Sequence, residues 1–200
     1  MHTRLYSVSE TLRQLLEQSM LADAGLAAFF GGANTVVSLA TPEEMAGKQQ
    51  GLSLWLYRVA RDPERLNDPP TLRPVPGGGV ELVQPPLPLR LHYLVTPIAE
   101  NSPDTEQRIL GRVLQAFHTQ PIIAGAPLQG DLSGTDAQVH VHLEALTLDE
   151  LARVWEALQG SYQLSVSYEI TLANIDSAAQ PLRGSLVESV RPNVAVLVGS

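Results

Sequence analysis

Apolar residues recur two apart in two long stretches of this chain. Leu54-Trp55-Leu56-Tyr57-Arg58-Val59, and later Pro85 to Pro97, alternate Leu, Val and aromatics within Pro or Gly boundaries, which predicts β-strands. In the first, Gly51 to Ala60, one face carries Leu52, Leu54, Leu56 and Arg58. The other carries Ser53, Trp55, Tyr57 and Val59, so bulky groups on both sides predict a strand covered on two faces. Leu87 to Thr96 is read as its return partner in a long structural hairpin. Between them, residues 61–85 hold Pro63, Pro69, Pro70, Pro74, Pro76 and Gly77-Gly78-Gly79, with no helical period. That stretch reads as a long loop, either disordered or used for contacts.

A different period governs the flanks. Val8, Leu12, Leu15, Leu16 and Met20 mark one helical face, predicting a helix from Ser7 to Phe30 capped by Ser7 or Ser9. Gly25 weakens it and Gly31-Gly32 ends it. Thr35 to Leu39 reads as a short strand stopped by Pro42. Asn101 to His118 is a second helix with Ser102 as cap and Pro103 at its first position; Ile109, Val113, Ala116 and Phe117 line its buried stripe. After a loop from Gly125 to Asp136 comes the strand Val139 to Leu146. Thr147 and Glu150 form a capping box for a third helix, with Leu148, Leu151, Trp155 and Leu158 facing inward. Tyr162 to Leu172 is a last strand with one apolar face and one that is wet or against something polar.

The order helix, strand, hairpin, helix, strand, helix, strand predicts an α+β fold: a mixed, mostly antiparallel sheet with helices packed on it. Residues 1–175 read as one domain and 176–200 as a C-terminal extension, an arm or an added strand. Its run Val194-Ala195-Val196-Leu197-Val198 has no obvious partner.

Composition narrows the function. A chain of 200 residues with 44% hydrophobic content can build one domain with a real core. No apolar run approaches the ~18–20 residues of a membrane helix. Glu10 and Glu17 among the early residues argue against a cleavable signal peptide. The absence of cysteine excludes disulfides, thiolate metal sites and cysteine nucleophiles, and suits cytosolic assembly. A net charge of −8 argues against nucleic acid and anionic membranes as partners. Lys48 is the single lysine among 13 basic residues, and arginine is the cation that protein interfaces favour; a GC-rich genome has the same effect on codons.

Candidate chemistry is sparse. His140 and His142 alternate on one strand and so share a face about 7 Å apart. With His92 they would make a three-histidine metal site; the plainer reading is a solvated strand face opposite Val139 and Val141. Gly77-Gly78-Gly79 lacks the helix and Gly-Lys-Ser/Thr ending of a phosphate loop, and no Gly-x-Ser-x-Gly elbow occurs. Glu43-Glu44 and Asp149-Glu150 sit at expected helix starts, where capping explains them. Trp55 and Trp155 read as core. No catalytic residue, cofactor or metal is assigned, and an assembly component is favoured over an enzyme.

Several blocks together resemble a known family. They are Leu54-Trp55-Leu56-Tyr57-Arg58-Val59 with Arg61, Pro63, Arg65 and Asn67, then Pro85 to Thr96, then Leu110-Gly111-Arg112 with His118 and Pro121. Leu148, Glu150, Leu151, Trp155, Leu158, Tyr162 and Leu164 to Tyr168 complete the series. The chain is similar to the cap, or tail-terminator, proteins of extracellular contractile injection systems, which are phage-tail-like particles. The resemblance covers residue 5 to about 175 and implies a tail-terminator-like fold. It also implies a ring, of six subunits in the family, that ends the inner tube and anchors the last sheath ring away from the baseplate. The expected partners are self, tube protein and sheath protein. Such a protein would be cytoplasmic during assembly and then part of the particle. Arg61, Arg65 and Arg73 are candidates for the subunit or tube interface, and Val194, Val196 and Val198 for the sheath interface, by strand addition. The competing readings are another tail adaptor, or a small metal-binding module built on His92, His140 and His142.

Overall fold

The structure is a computed structural model. It describes residues 3–31, 36–65, 67, 69–76, 79–83, 85 and 87–171, and the backbone of 182–184. In chain order the elements are α1 (Arg4–Leu21), α2 (Ala24–Phe30), β1 (Val37–Ser38), α3 (Pro42–Met45) and β2 (Gly51–Arg61). A short 3-10 turn at Pro63–Arg65 precedes β3 (Thr71–Pro74), β4 (Val80–Val83), β5 (Leu89–Ile98) and α4 (Pro103–Thr119). Then follow β6 (Ile122–Ala124), a second 3-10 turn at Gly130–Leu132, β7 (Gln138–Leu143), α5 (Leu148–Ala157), β8 (Val166–Thr171) and β9 (Leu182–Gly184).

These elements fall into two compact units, residues 1–66 with 87–175, and residues 67–86 with 176–200. The first holds a six-stranded sheet in the order β1-β2-β5-β8-β7-β6. Only β1 runs parallel to its neighbour, so the sheet is mixed and mostly antiparallel, as the α+β reading expects. The expected hairpin is there, pairing Gly51 with Ile98 at one end and Arg61 with Leu89 at the other.

Alternation along β5 sorts the two sheet faces. Leu91, Tyr93 and Val95 join Tyr168 and Ile170 of β8 and Val139 and Val141 of β7 in the main core, together with Val8, Leu12 and Leu16 of α1 and Ile109 and Val113 of α4. Ring contact between Phe117 and Tyr168, 4.8 Å between centroids, seats α4. Ser9 seats α1 through a 2.7 Å hydrogen bond with the Tyr93 hydroxyl.

That bond corrects the expected cap. Ser7 and Ser9 lie inside α1, whose N-cap position is Thr3. Their hydroxyls donate back to the carbonyls of Thr3 and Leu5, the alternative to capping that a mid-helix serine has. Nor is there one helix to Phe30: the Asp23 carboxylate accepts from the Gly25 and Leu26 N–H groups and starts α2 afresh. The capping boxes at Thr41–Glu44 and Thr147–Glu150 both form. In α4, Pro103 takes the first turn as expected, but the Ser102 side chain makes no cap bond and turns to Asp104 and Thr105.

Three further expectations change. β2 is buried only over Gly51–Leu54, so it is not covered on both faces along its length. Its register skips between Leu56 and Arg58, a bulge that moves Arg58 off the Leu52–Leu56 face and opposite His92. In α5 and at its C-cap, Trp155 is buried and Leu151 and Leu158 are half-buried as expected, but Leu148 is 67% exposed. The stretch expected as a loop contains β3 and β4, which form a three-stranded antiparallel sheet with β9 from the C-terminal segment. Strands of four and three residues carry too little alternation to stand out from sequence.

Two pH predictions follow from this packing. Backbone N–H groups of Leu26, Thr41 and Thr147 hold Asp23, Glu44 and Glu150 below the usual carboxylate range, and the Arg13 guanidinium does the same for Glu10. Folded values below the unfolded ones mean stability that is present at neutral pH and lost on acidification. The melting temperature should be level between about pH 5 and pH 9 and fall below about pH 4.5. A melting temperature that rises between pH 5 and 3 would contradict this.

Burial pushes the Tyr93 and Tyr168 phenols up to about 12. These raise the opposite sign: their contribution is full below the unfolded value near 10 and lost as pH climbs beyond it. Ultraviolet titration should leave at least two tyrosines un-ionised at about pH 11 in the folded protein, and Tyr93→Phe should remove one late step.

Candidate functional site

The face of the sheet away from α1 and α4 divides in two. Over one part lies Trp155 of α5, fully buried, with its indole N–H donating to Ser165 Oγ at 3.1 Å. The other part is polar. Arg90 and His92 alternate with Leu89 and Leu91 along β5, and Glu169 and Thr171 do the same on β8. Strand register aligns Arg90, Thr171 and His140 in one row and His92, Glu169 and His142 in the next.

An open groove of about 600 Å³ runs over these rows, lined by Asp62, Arg65, Arg90, His140, His142 and Glu169 among others. Arg90 is its centre. Its Nη2 lies 2.9 Å from Asp62 Oδ1 and 3.3 Å from Glu64, its Nε is 3.0 Å from the same Asp62 oxygen, and its Nη1 is 3.5 Å from Glu169. Asp62 is fixed in turn by its own N–H donating to the Pro88 carbonyl at 3.0 Å.

Beside this network stands a second one. His92 Nδ1 is 3.0 Å from Glu144 Oε1. The other Glu144 oxygen accepts from the Ser167 hydroxyl, and the Tyr57 hydroxyl lies 3.0 Å from Ser167 Oγ. Tyr57 is the residue the β2 bulge passes over, and its phenol is pushed up by burial. Four separate segments, β2, β5, the β7–α5 connection and β8, therefore converge here.

The predicted site residues scatter around this face. Arg65 lines the groove. Arg61, exposed at the end of β2, pairs in register with Leu89. Arg73 is exposed on β3, opposite Glu81, in the other unit. Val194, Val196 and Val198 lie outside the described residues. His140 and His142 share a face as expected, with Val139 and Val141 buried on the other. The three histidines do not converge, because β8 separates His92 from His142 by two strand spacings, about 10 Å.

Asp62, Arg90, Glu144 and Glu169 carry most of the electrostatics, and sequence reasoning singled out none of them. The signal available was the alternation Leu89-Arg90-Leu91-His92, which places a charge and an imidazole on one strand face.

The family model described as Pvc16 N-terminal domain matches residues 7–189. The chain belongs to the Pvc16 N-terminal domain family. This Pvc16-type fold is also similar to solved structures. One is the PVC sheath/tube terminator of an extracellular contractile injection system in its extended state, with a TM-score of 0.61 at 18% identity. The match covers 93% of this chain and 64% of that one. Another is the anti-feeding prophage cap, a tube-terminating cap, with a TM-score of 0.58 at 16% identity over 90% of this chain and 59% of that one. The chain thus spans roughly three-fifths of the length of the terminators it matches. No curated protein matches the sequence. Among the described residues no helix is long and apolar enough to cross a membrane.

Proposed function

We propose that this Pvc16-family chain is a structural cap of a contractile injection system. It ends the inner tube and anchors the last sheath ring at the end away from the baseplate, without catalysis. The observation that carries this reading is a fold shared over nine-tenths of the chain with two terminators of such particles, within a matching family. The chemistry of the sheet face is in keeping with it, since Arg90 and His92 are engaged by carboxylates in a fixed network. Assembly would begin in the cytoplasm and leave the cap in the finished particle, with neither nucleic acid nor membrane as a partner. Residues 1–175 would supply the cap body and 176–200 the extension.

The test is assembly with the gene removed. Particles should then carry tubes of irregular, excessive length and sheaths that slip from the tube in electron micrographs. Normal length and sheath retention would rule the cap reading out.

The ring, taken as six copies, needs a head-to-tail interface on each subunit. Arg61, Arg65 and Arg73 are proposed to meet acidic groups of the neighbour or the tube. Reversing all three to Glu should turn the ring into monomers by light scattering, or abolish tube capping; if neither changes, these arginines are passive. Val194, Val196 and Val198 are proposed to add a strand to the sheath. Deleting residues 190–200 should spare the ring and release the sheath, and unchanged sheath attachment would sink that assignment.

A further inference from the structure

The polar half of the sheet carries a charge imbalance. Asp62, Glu144 and Glu169 expose only 9%, 16% and 20% of their side chains, and Arg90 is the guanidinium set against Asp62 and Glu169. Arg58 stands opposite His92 in register but is exposed. Glu144 and Glu169 thus bring two partly shielded carboxylates to one face, where their mutual repulsion is unfavourable. A divalent cation between them would relieve it.

Geometry supplies the place for it. One ligand atom each from His92, Glu144 and Glu169 lie within 4.8 Å of one another. The His92 Nδ1 to Glu144 Oε1 separation of 3.0 Å is close to the edge of a zinc tetrahedron, about 3.3 Å for metal–ligand bonds of about 2.0 Å. Outer contacts that orient metal ligands are also in place. Ser167 holds the second Glu144 oxygen, and Arg90 approaches Glu169 Oε2, leaving each carboxylate another oxygen to offer. Glu169 lines the open groove, which gives an ion and a coordinating water their route in.

We propose that His92, Glu144 and Glu169 bind one divalent cation of the borderline class, with zinc favoured by the mixed imidazole and carboxylate donors. The site ties β5, β8 and the β7–α5 connection together as a clip in a chain that has no cysteine for a disulfide. It differs from the three-histidine set weighed from the sequence, since His140 and His142 are not among its ligands. It stands independently of the capping role.

The test is titration of the full chain, stripped with a chelator, with zinc chloride against a chromophoric competitor. One equivalent should bind with micromolar or tighter affinity and raise the melting temperature. Glu144→Gln and Glu169→Gln should each weaken binding at least tenfold, while His140→Ala leaves it unchanged. No binding by the wild type, full binding by both Gln variants, or loss on His140→Ala would each overturn the proposal. Should a Gln variant not fold, the wild type still decides. Zinc must shift the ring resonances of His92 and leave those of His140 and His142 in place, and the reverse pattern overturns the site.

Discussion

Replacing Trp155 with alanine is expected to lower the unfolding free energy by about 3–5 kcal/mol, the cost of emptying a fully buried large aromatic site. Trp155 is 1% exposed and is the one buried residue of α5. A helix of ten residues does not hold itself together in water, and Trp155 is the most deeply buried side chain that α5 contributes to the fold. Its indole also stacks edge-on against Tyr162, 6.3 Å between centroids, and satisfies the buried Ser165 hydroxyl. Trp155→Phe keeps most of the volume but removes the N–H, and should cost about 1–2 kcal/mol. Urea unfolding gives the global loss. Hydrogen exchange shows whether α5 opens alone, in which case amide protection falls over 148–157 before the sheet is affected. A Trp155→Ala variant within 1 kcal/mol of the wild type would mean that α5 is held by something other than this side chain.

The same helix shows what was legible in the sequence. Its start could be read because a capping box is local: Thr147 and Glu150 are three residues apart and need nothing else. Its first inward position could not, because Leu148 satisfies the helical period and yet is 67% exposed in the first turn. The β2–β5 hairpin was visible from alternation on both strands, whereas the bulge that reverses Arg58 leaves no mark in a run of residues that all suit a strand. Ser7 and Ser9 fit the capping pattern; what overrides it is Tyr93, 84 positions away from Ser9.

The polar face was illegible for the same reason. His92 and Glu144 are 52 residues apart, and Asp62 and Arg90 are 28 apart. Each alone is an ordinary polar position on a strand or turn. Only the strand order, which sets β5 beside β8 and β8 beside β7, turns them into a single surface. The family resemblance had a longer reach, because it rested on an ordered series of blocks and not on any one contact.

Arg90→Met should destabilise the protein by about 1–3 kcal/mol at neutral pH, through the carboxylates it leaves behind. The methionine fills much of the arginine stem, so little of the loss comes from packing. What is removed is the guanidinium that Asp62, just after β2, shares with Glu169 on β8. Both carboxylates are mostly shielded from water, with side-chain exposures of 9% and 20%, so neither can recover full hydration. Arg90→Lys should recover only part of the loss, because an ammonium is a point donor and cannot reach three carboxylates along a planar fork. The decisive variant is the triple change Arg90→Met, Asp62→Asn and Glu169→Gln. If unpaired charge is the cause, removing it restores most of the lost stability, and the three changes are strongly non-additive in chemical denaturation. A triple variant as weak as the sum of its parts would instead place the role of Arg90 in packing. Arg65 shares the 3-10 turn Pro63–Arg65 with Glu64, which Arg90 also holds, so the single variant should loosen Arg65 as well.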